Sequence, residues 1–460
     1  MASISQKLSK FAYDLKIEKI PKNVVEKAKL HILDILGIIL AVNEFPDNLK
    51  VINLFKEMEG KKESSVLGTN IKIPAANAAF VNSYLSHCVD YDDTHLGSVI
   101  HQSTTIVPTA LALAEKLNKD GKEILEAVIA GYEVNSRIGL IAPGKFHLRG
   151  FHPTSTVGVF GATVTAGKLL DLNEEQLANA MGIAGSMASG ILQGIVEGVA
   201  VKPFHPAIAS HLSIIAANIA KLGFLGPKEI FEGKFGVFNT YLKGEEFVFE
   251  NAIKDLEENW ETLNISFKPY PACHATHSSI DIARIFKDKY KIGLDEVESI
   301  NFYVPKLTMD LVVEPIEERL RPSTPYSAKF SLNYTVIKAF QKGWVGIWDF
   351  TEESIKDENT LKYMKIVKAY HEKSFDKYGD KVIPAKAVLF TKDGKRYEET
   401  VINHKGTPDN PLTKEEVITK FEDNLNPTIY NKVKKEIIDL ISNFENKKIV
   451  DLIETISLKN

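Results

Sequence analysis

The chain has only two cysteines in 460 residues, Cys88 and Cys273. Two thiols cannot make a disulfide framework, and so few of them fit a cytoplasmic protein. The same scarcity bears on chemistry. Iron–sulfur clusters are held mostly by four thiolates, so a dehydratase of the aconitase type is not expected. An excess of one charge is also missing. The 56 Lys and Arg face 60 Asp and Glu, a net charge of −4, which gives no footprint for nucleic acid or for a membrane surface. The opening residues, Met-Ala-Ser-Ile-Ser-Gln-Lys-Leu-Ser-Lys, lack the apolar stretch of a signal peptide. Long lipid-type runs are absent too. The longest apolar stretches, near 157–170 and 183–201, are broken by Gly, Ser, Gln193 and Glu197 and are rich in small residues. That composition fits buried helices of a soluble protein. No internal repeat, low-complexity tract or long linker punctuates the sequence.

What is present divides into two textures. Up to about Ile265 the apolar spacing is helical. It predicts helices over 24–42 (with Asp34 inside an apolar face), 74–89, 104–117, 122–140, 154–170, 173–195 and 206–222. Start signals agree: Ser103 or Thr104 can cap one helix, Pro153 and Pro206 suit a first turn, and Asn173 precedes Glu174 and Glu175. Beyond Ile265 the pattern changes. Residues 297–304 alternate as a strand does, and 385–390 and 397–402 flank an Asp393-Gly394 turn as a hairpin. Helices over 278–286 and 329–340 lie between them, and from Pro411 the pattern is helical again. The expectation is a mainly α protein: a large all-helical domain (1–265, with 406–460 returning to it) and an inserted, smaller α+β domain (266–405).

The densest chemistry is Asp90-Tyr91-Asp92-Asp93-Thr94-His95, followed by His101. Carboxylates and imidazoles are costly between apolar helices unless paired or used. His87, Asp90 and Thr94 would share a face if the preceding helix continues. His101, His152 and His205 each stand just before a predicted helix start, where free N–H groups and the helix dipole favour anions. Lys202 follows an apolar run and Lys268 opens Lys-Pro-Tyr-Pro-Ala-Cys-His-Ala-Thr-His. Lysines and histidines so placed suit a small, multiply charged anion. Each also has a plainer reading. The histidines could cap helices or pack in the core, Asp92 and Asp93 could shape a turn, and Lys202 could pair with Glu197. The Asp and His spacing matches no common metal-ligand pattern closely.

Several stretches in order resemble the MmgE/PrpD family. They are His31-Ile32-Leu33-Asp34-Ile35-Leu36-Gly37, the Asp90–His95 motif, Gly150-Phe151-His152-Pro153-Thr154-Ser155-Thr156 and Lys202-Pro203-Phe204-His205. Then follow Lys268-Pro269-Tyr270-Pro271-Ala272-Cys273 with Thr276-His277, Ser327-Ala328-Lys329-Phe330-Ser331-Leu332-Asn333-Tyr334, and Gly406-Thr407-Pro408-Asp409-Asn410-Pro411-Leu412. The family includes 2-methylcitrate dehydratases, cis-aconitate decarboxylase and iminodisuccinate epimerase.

The resemblance implies a helical domain with an α+β lid, an active site between them, a homodimer, and no metal or organic cofactor. The functional positions of the decarboxylase branch correspond to Asp90, Thr94, His101, Lys202, Lys268 and Tyr334. Its lid histidine falls on Cys273, with His274 one residue later. The classical dehydratase branch carries Asn and Trp where this chain has Asp92 and His95. The expected catalytic set is Asp90, Thr94, His101, His274 and Tyr334, with His152, Lys202, Lys268 and Cys273 binding substrate. The expected function is a cofactor-independent lyase acting beside a carboxylate of a small di- or tricarboxylic acid, in the manner of 2-methylcitrate dehydratase. The alternatives are an epimerase of an imino- or amino-dicarboxylate, a cis-aconitate decarboxylase, and a non-catalytic carboxylate-binding homologue.

Overall fold

The computed structural model describes residues 2–197, 199–379 and 382–457. Helix takes 58% and strand 9%, so the chain is mainly α. It separates into two compact units. One comprises Met1–Cys88, Asp92–Ile265 and Lys414–Asn460, and the other Val89–Tyr91 and Ser266–Thr413. Among the described residues no helix is long and apolar enough to cross a membrane.

The helices of the first unit that frame its site are α1 (Lys22–Val42), α2 (Ala75–His87), α3 (Ser103–Leu117), α4 (Gly121–Gly139), α5 (Gly158–Leu169), α6 (Glu174–Gly185) and α7 (Phe204–Lys221). Capping boxes start two of them, Asp120 with Glu123 for α4 and Asn173 with Gln176 for α6, each satisfying two otherwise orphaned donors. α4 and α5 meet through glycine. A Cβ on Gly131 would lie 2.2 Å from Thr165 Oγ1, and one on Gly161 would lie 2.4 Å from the Asn135 side chain. The Gly161 amide instead donates to Asn135 Oδ1 at 2.8 Å. The small-residue texture of 157–170 is thus what lets two buried helices approach.

Two expected helices are shorter than their apolar patterns. The one predicted over 173–195 stops at Gly185, and Gly190 adopts φ +117°, a conformation that carries the chain out of helical geometry. The one predicted over 74–89 stops at His87, and Asp90 turns left-handed at φ 54°. His87, Asp90 and Thr94 therefore do not share a helix face. Asp34, the carboxylate inside the apolar face of α1, lies 2.7 Å from Lys420 on the returning helix Lys414–Leu425. Both side chains are fully enclosed. Burial pushes the Asp34 carboxyl up to about 6 and the Lys420 ammonium down, as expected when two charges leave water together.

The second unit carries a four-stranded sheet of β1 (Val297–Val304), β2 (Val367–His371), β3 (Ala385–Thr391) and β4 (Arg396–Val401). Its order is β2-β1-β3-β4. β1 pairs parallel with β2 and antiparallel with β3, and β3 and β4 form the hairpin, whose Gly394 has φ +81°. Ile300, Phe302 and Val304 alternate into the core, where they join Ile280 and Phe286 of α8 (His277–Asp288) and Ile337 and Phe340 of α9 (Leu332–Lys342). That is the period-two burial a one-sided sheet requires.

Candidate active site

In the first unit the end of α2 and the start of α3 bring two imidazoles together around Asp92. His87, the last residue of α2, has Nδ1 at 2.8 Å from both carboxylate oxygens of Asp92. Asp92 is wholly buried, and its Oδ2 also lies 3.4 Å from His101 Nδ1. His101 Nδ1 is 3.1 Å from Thr94 Oγ1 and 3.0 Å from the Asp93 carbonyl oxygen. A carbonyl only accepts, so Nδ1 carries the proton and Nε2 the lone pair. That Nε2 lies 3.5 Å from Lys202 Nζ. The His101 amide donates to Thr154 Oγ1 at 3.1 Å, which ties this loop to the short helix Pro153–Thr156.

His152 caps that short helix from outside, and its Nδ1 lies 3.2 Å from Nδ1 of His205, the second residue of α7. One of the two must donate and the other accept. The rings of His87 and His152 stack at 5.7 Å, and His101 meets His87 edge-on at 4.7 Å. Burial pushes His152 well below its ordinary value, and the Lys202 ammonium and the neighbouring imidazoles push it further. His205 is lowered by burial and then by Lys202. The Lys202 ammonium beside His152 and His205, both lowered, favours a carboxylate over a cation.

The next carboxylate, Asp93, ties this segment to α1 and α3. It accepts from the Ser103 amide at 2.9 Å and from the Ser103 hydroxyl, and lies 2.5 Å from His31 Nδ1 on α1. Burial alone would raise the Asp93 carboxyl, but His31 and Ser103 together bring it below its usual range. His95 turns elsewhere. Ser98 N–H donates to its Nδ1 at 3.2 Å, so its Nε2–H donates to Glu261 at 3.0 Å. That hydrogen bond pulls the Glu261 carboxyl down to about 2. Glu197 accepts from Gln193 Nε2 at 2.8 Å.

The second unit holds the other predicted positions. Lys268, nearly inaccessible, donates to Asp90 Oδ2 at 2.8 Å and to the Asp90 carbonyl at 2.6 Å. Its charge is therefore matched by a carboxylate of the same unit. Tyr91 anchors the same segment by donating to the Pro269 carbonyl at 3.0 Å. Tyr334 lies in the core of this unit. Its hydroxyl donates to the Asp349 carbonyl at 2.6 Å, and burial raises it above its ordinary value. Cys273 and His274 are both partly exposed, and the His274 ring touches those of His277 and His404.

Thr94, His101, His152 and Lys202 thus come together in the first unit, and Asp90 and Lys268 pair in the second. Tyr334 stands with neither group. The sequence did not single out His87 and Asp92 as site members, although both lie in or beside the acidic motif. His205 was visible as Phe-His-Pro but was not assigned to the site.

Known proteins match the chain over nearly its full length. Residues 6–250 match the MmgE/PrpD N-terminal domain and residues 270–446 the MmgE/PrpD C-terminal domain. The cis-aconitate decarboxylase-like protein oryM of Aspergillus oryzae is 26% identical over 442 residues, covering 91% of this chain and 90% of the relative. The cis-aconitate decarboxylase of Aspergillus terreus is 23% identical over 475 residues, covering 100% and 96%, and that of Mus musculus 25% over 465 residues, covering 97% and 91%. With both family domains matched in order along its length, the chain belongs to the MmgE/PrpD family.

Proposed function

We propose that the chain is a cofactor-independent lyase acting beside a carboxylate of a small di- or tricarboxylic acid. The observation that carries this reading is the aim of His101. Its Nδ1 is held by the Asp93 carbonyl and Thr94, and its Nε2 lies 3.5 Å from Lys202. A fixed imidazole with its lone pair next to a cation can move a proton at carbon while the cation holds the neighbouring carboxylate. A C–H beside a carboxylate is a weak acid, so stabilising the enolate-like charge is the larger part of the work. Lys202 supplies that charge and His152 a further polar contact.

For a 2-methylcitrate-type substrate, His101 Nε2 takes the proton from carbon and the electron pair forms the new double bond. His101, now protonated, gives that proton to the departing hydroxyl, which leaves as water, and the imidazole is neutral again. Decarboxylation is the second reading, and the names of the relatives favour it. There the bond to the departing carboxylate breaks, carbon dioxide leaves, and protonated His101 returns a proton to the carbon. Against it stands Cys273 at the position the resemblance gives to the decarboxylase's lid histidine. Tyr334 has no part in either scheme, since its hydroxyl is spent on Asp349.

The test is a panel of citrate, 2-methylcitrate, cis-aconitate and iminodisuccinate, each followed by NMR with the purified chain. Loss of water from 2-methylcitrate supports the first reading, and carbon dioxide release from cis-aconitate the second. Epimerisation of iminodisuccinate alone, or binding of the panel without turnover, overturns both.

A further inference from the structure

Three imidazoles of the second unit gather where neither reaction scheme needs them. His277 opens α8, His274 lies one turn before it, and His404 follows β4. Their ring centroids are 4.7 Å (His274–His277), 5.0 Å (His277–His404) and 5.6 Å (His274–His404) apart. One nitrogen from each lies within 4.8 Å of the others. Three imidazoles on one tetrahedral ion, with metal–nitrogen bonds of about 2.1 Å, have ring centroids roughly 5 Å apart and nitrogens roughly 3.4 Å apart. The rings already have the first spacing.

The hydrogen bonds fix which nitrogens are available. His277 Nε2 lies 3.1 Å from the Ala272 carbonyl oxygen, and His404 Nδ1 lies 2.8 Å from the Lys405 carbonyl oxygen. Those nitrogens must donate, so Nδ1 of His277 and Nε2 of His404 carry lone pairs. His277 Nδ1 is buried and has no hydrogen-bond partner among the described residues. A metal-binding imidazole characteristically donates its second N–H to a backbone carbonyl, which sets its tautomer and orientation.

Charge separates this cluster from the other one. His87, His101 and His152 also bring nitrogens within 4.8 Å, but Lys202 Nζ stands 3.5 Å from His101 Nε2 and repels an ion there. In the second unit the nearby ammonium, Lys268, is matched by Asp90 at 2.8 Å. Asp281, which accepts from the Lys405 amide at 2.7 Å, adds negative charge beside His404.

We propose that His274, His277 and His404 bind one divalent transition-metal ion of the zinc class, leaving a fourth position open. Three histidines with a fourth position left open is an arrangement that zinc adopts. His274 is the partly exposed member and marks the side from which the ion enters.

The test uses the full-length chain, stripped with chelator and titrated with Co2+ in the absence of substrate. One equivalent should bind and give the visible ligand-field bands of a low-coordinate, nitrogen-rich site, with Zn2+ displacing it. His404→Gln and His277→Gln should each weaken binding by at least about tenfold, with unchanged far-ultraviolet circular dichroism, while His152→Gln should bind as the parent does. Failure of the parent chain to bind one equivalent overturns the proposal, and this result does not depend on any variant folding. So does undiminished binding in both second-unit variants, or loss of binding in His152→Gln instead. Because no turnover is measured, a negative result leaves the lyase reading untouched, and an inactive substrate panel leaves the metal site untouched.

Discussion

Oδ2 of Asp92 lies 3.4 Å from Nδ1 of His101, the nitrogen that faces away from Lys202. A buried carboxylate behind the protonated nitrogen holds the imidazole in one tautomer and stabilises it when it takes up a second proton. Asp92→Asn should therefore lower kcat by roughly one to two orders of magnitude, with KM little changed. The acid limb of the kcat profile should shift as well, which loss of packing alone would not cause. A pH profile of this variant matching the parent's would remove Asp92 from the proton-transfer apparatus.

His101→Ala and Lys202→Ala should each fold and lose turnover by roughly two orders of magnitude or more. His101→Ala removes the proton carrier and should act mainly on kcat. Lys202→Ala removes charge felt by both the substrate carboxylate and the developing enolate, so it should raise KM as well. Steady-state kinetics on whichever acid the panel identifies distinguishes the two. Near-parental activity in either variant would contradict the assignment.

The Asp34–Lys420 pair gives a prediction about stability alone. Asp34→Ala deprives a fully buried ammonium of its 2.7 Å partner and should cost about 3–5 kcal/mol. The double change Asp34→Leu with Lys420→Met removes both charges and should recover most of that loss. Urea unfolding of the three chains measures it. A double variant as unstable as Asp34→Ala would mean that packing, and not the orphaned charge, sets the cost.

Histidines held neutral make the fold sensitive to mild acid. Burial pushes His31 from 6.5 down to about 4, and His152 is lowered too. Below pH 6.5 the unfolded chain takes up protons that these folded histidines refuse, so stability falls as the pH falls. His31 alone should cost about 2 kcal/mol between pH 6.5 and 5. Asp34, raised to about 6, acts in the opposite sense over part of that range and moderates the slope. Glu261, lowered to about 2, contributes stability that is lost only in stronger acid, below its unfolded value of 4.5. Urea midpoints at pH 7.5, 6.5 and 5 should therefore drop across the last interval, and less so in His31→Gln. A flat midpoint from pH 7.5 to 5 would contradict this.

Much of the fold was legible because periodicity reports burial. The core helices of the first unit and the 297–304 strand follow directly from where apolar residues recur. What local pattern could not supply was distance along the chain. Asp34 stood out inside an apolar face, but Lys420 lies hundreds of residues later. β2, Val-Lys-Ala-Tyr-His, alternates too weakly to announce itself, and only its parallel pairing with β1 makes it a strand. The site was partly legible for a similar reason. The acidic motif advertised itself by composition, yet its geometry turns on α2 stopping at His87. A longer helix would have carried His87, Asp90 and Thr94 onto one face and kept Asp92 away from both imidazoles it now touches.

The division of the chain at Val89–Tyr91 has a practical consequence for anyone who would dissect the molecule. Neither unit is a continuous stretch of sequence, and the three residues that cross over include Asp90. Excising 266–413 would delete Lys268 and strand the carboxylate that answers it. Expressing 266–413 by itself would leave the Lys268 ammonium without its counter-ion. The six-residue motif that looks like one object in the sequence is therefore divided between the two units. Only the intact chain is a fair reagent for any measurement made on either half.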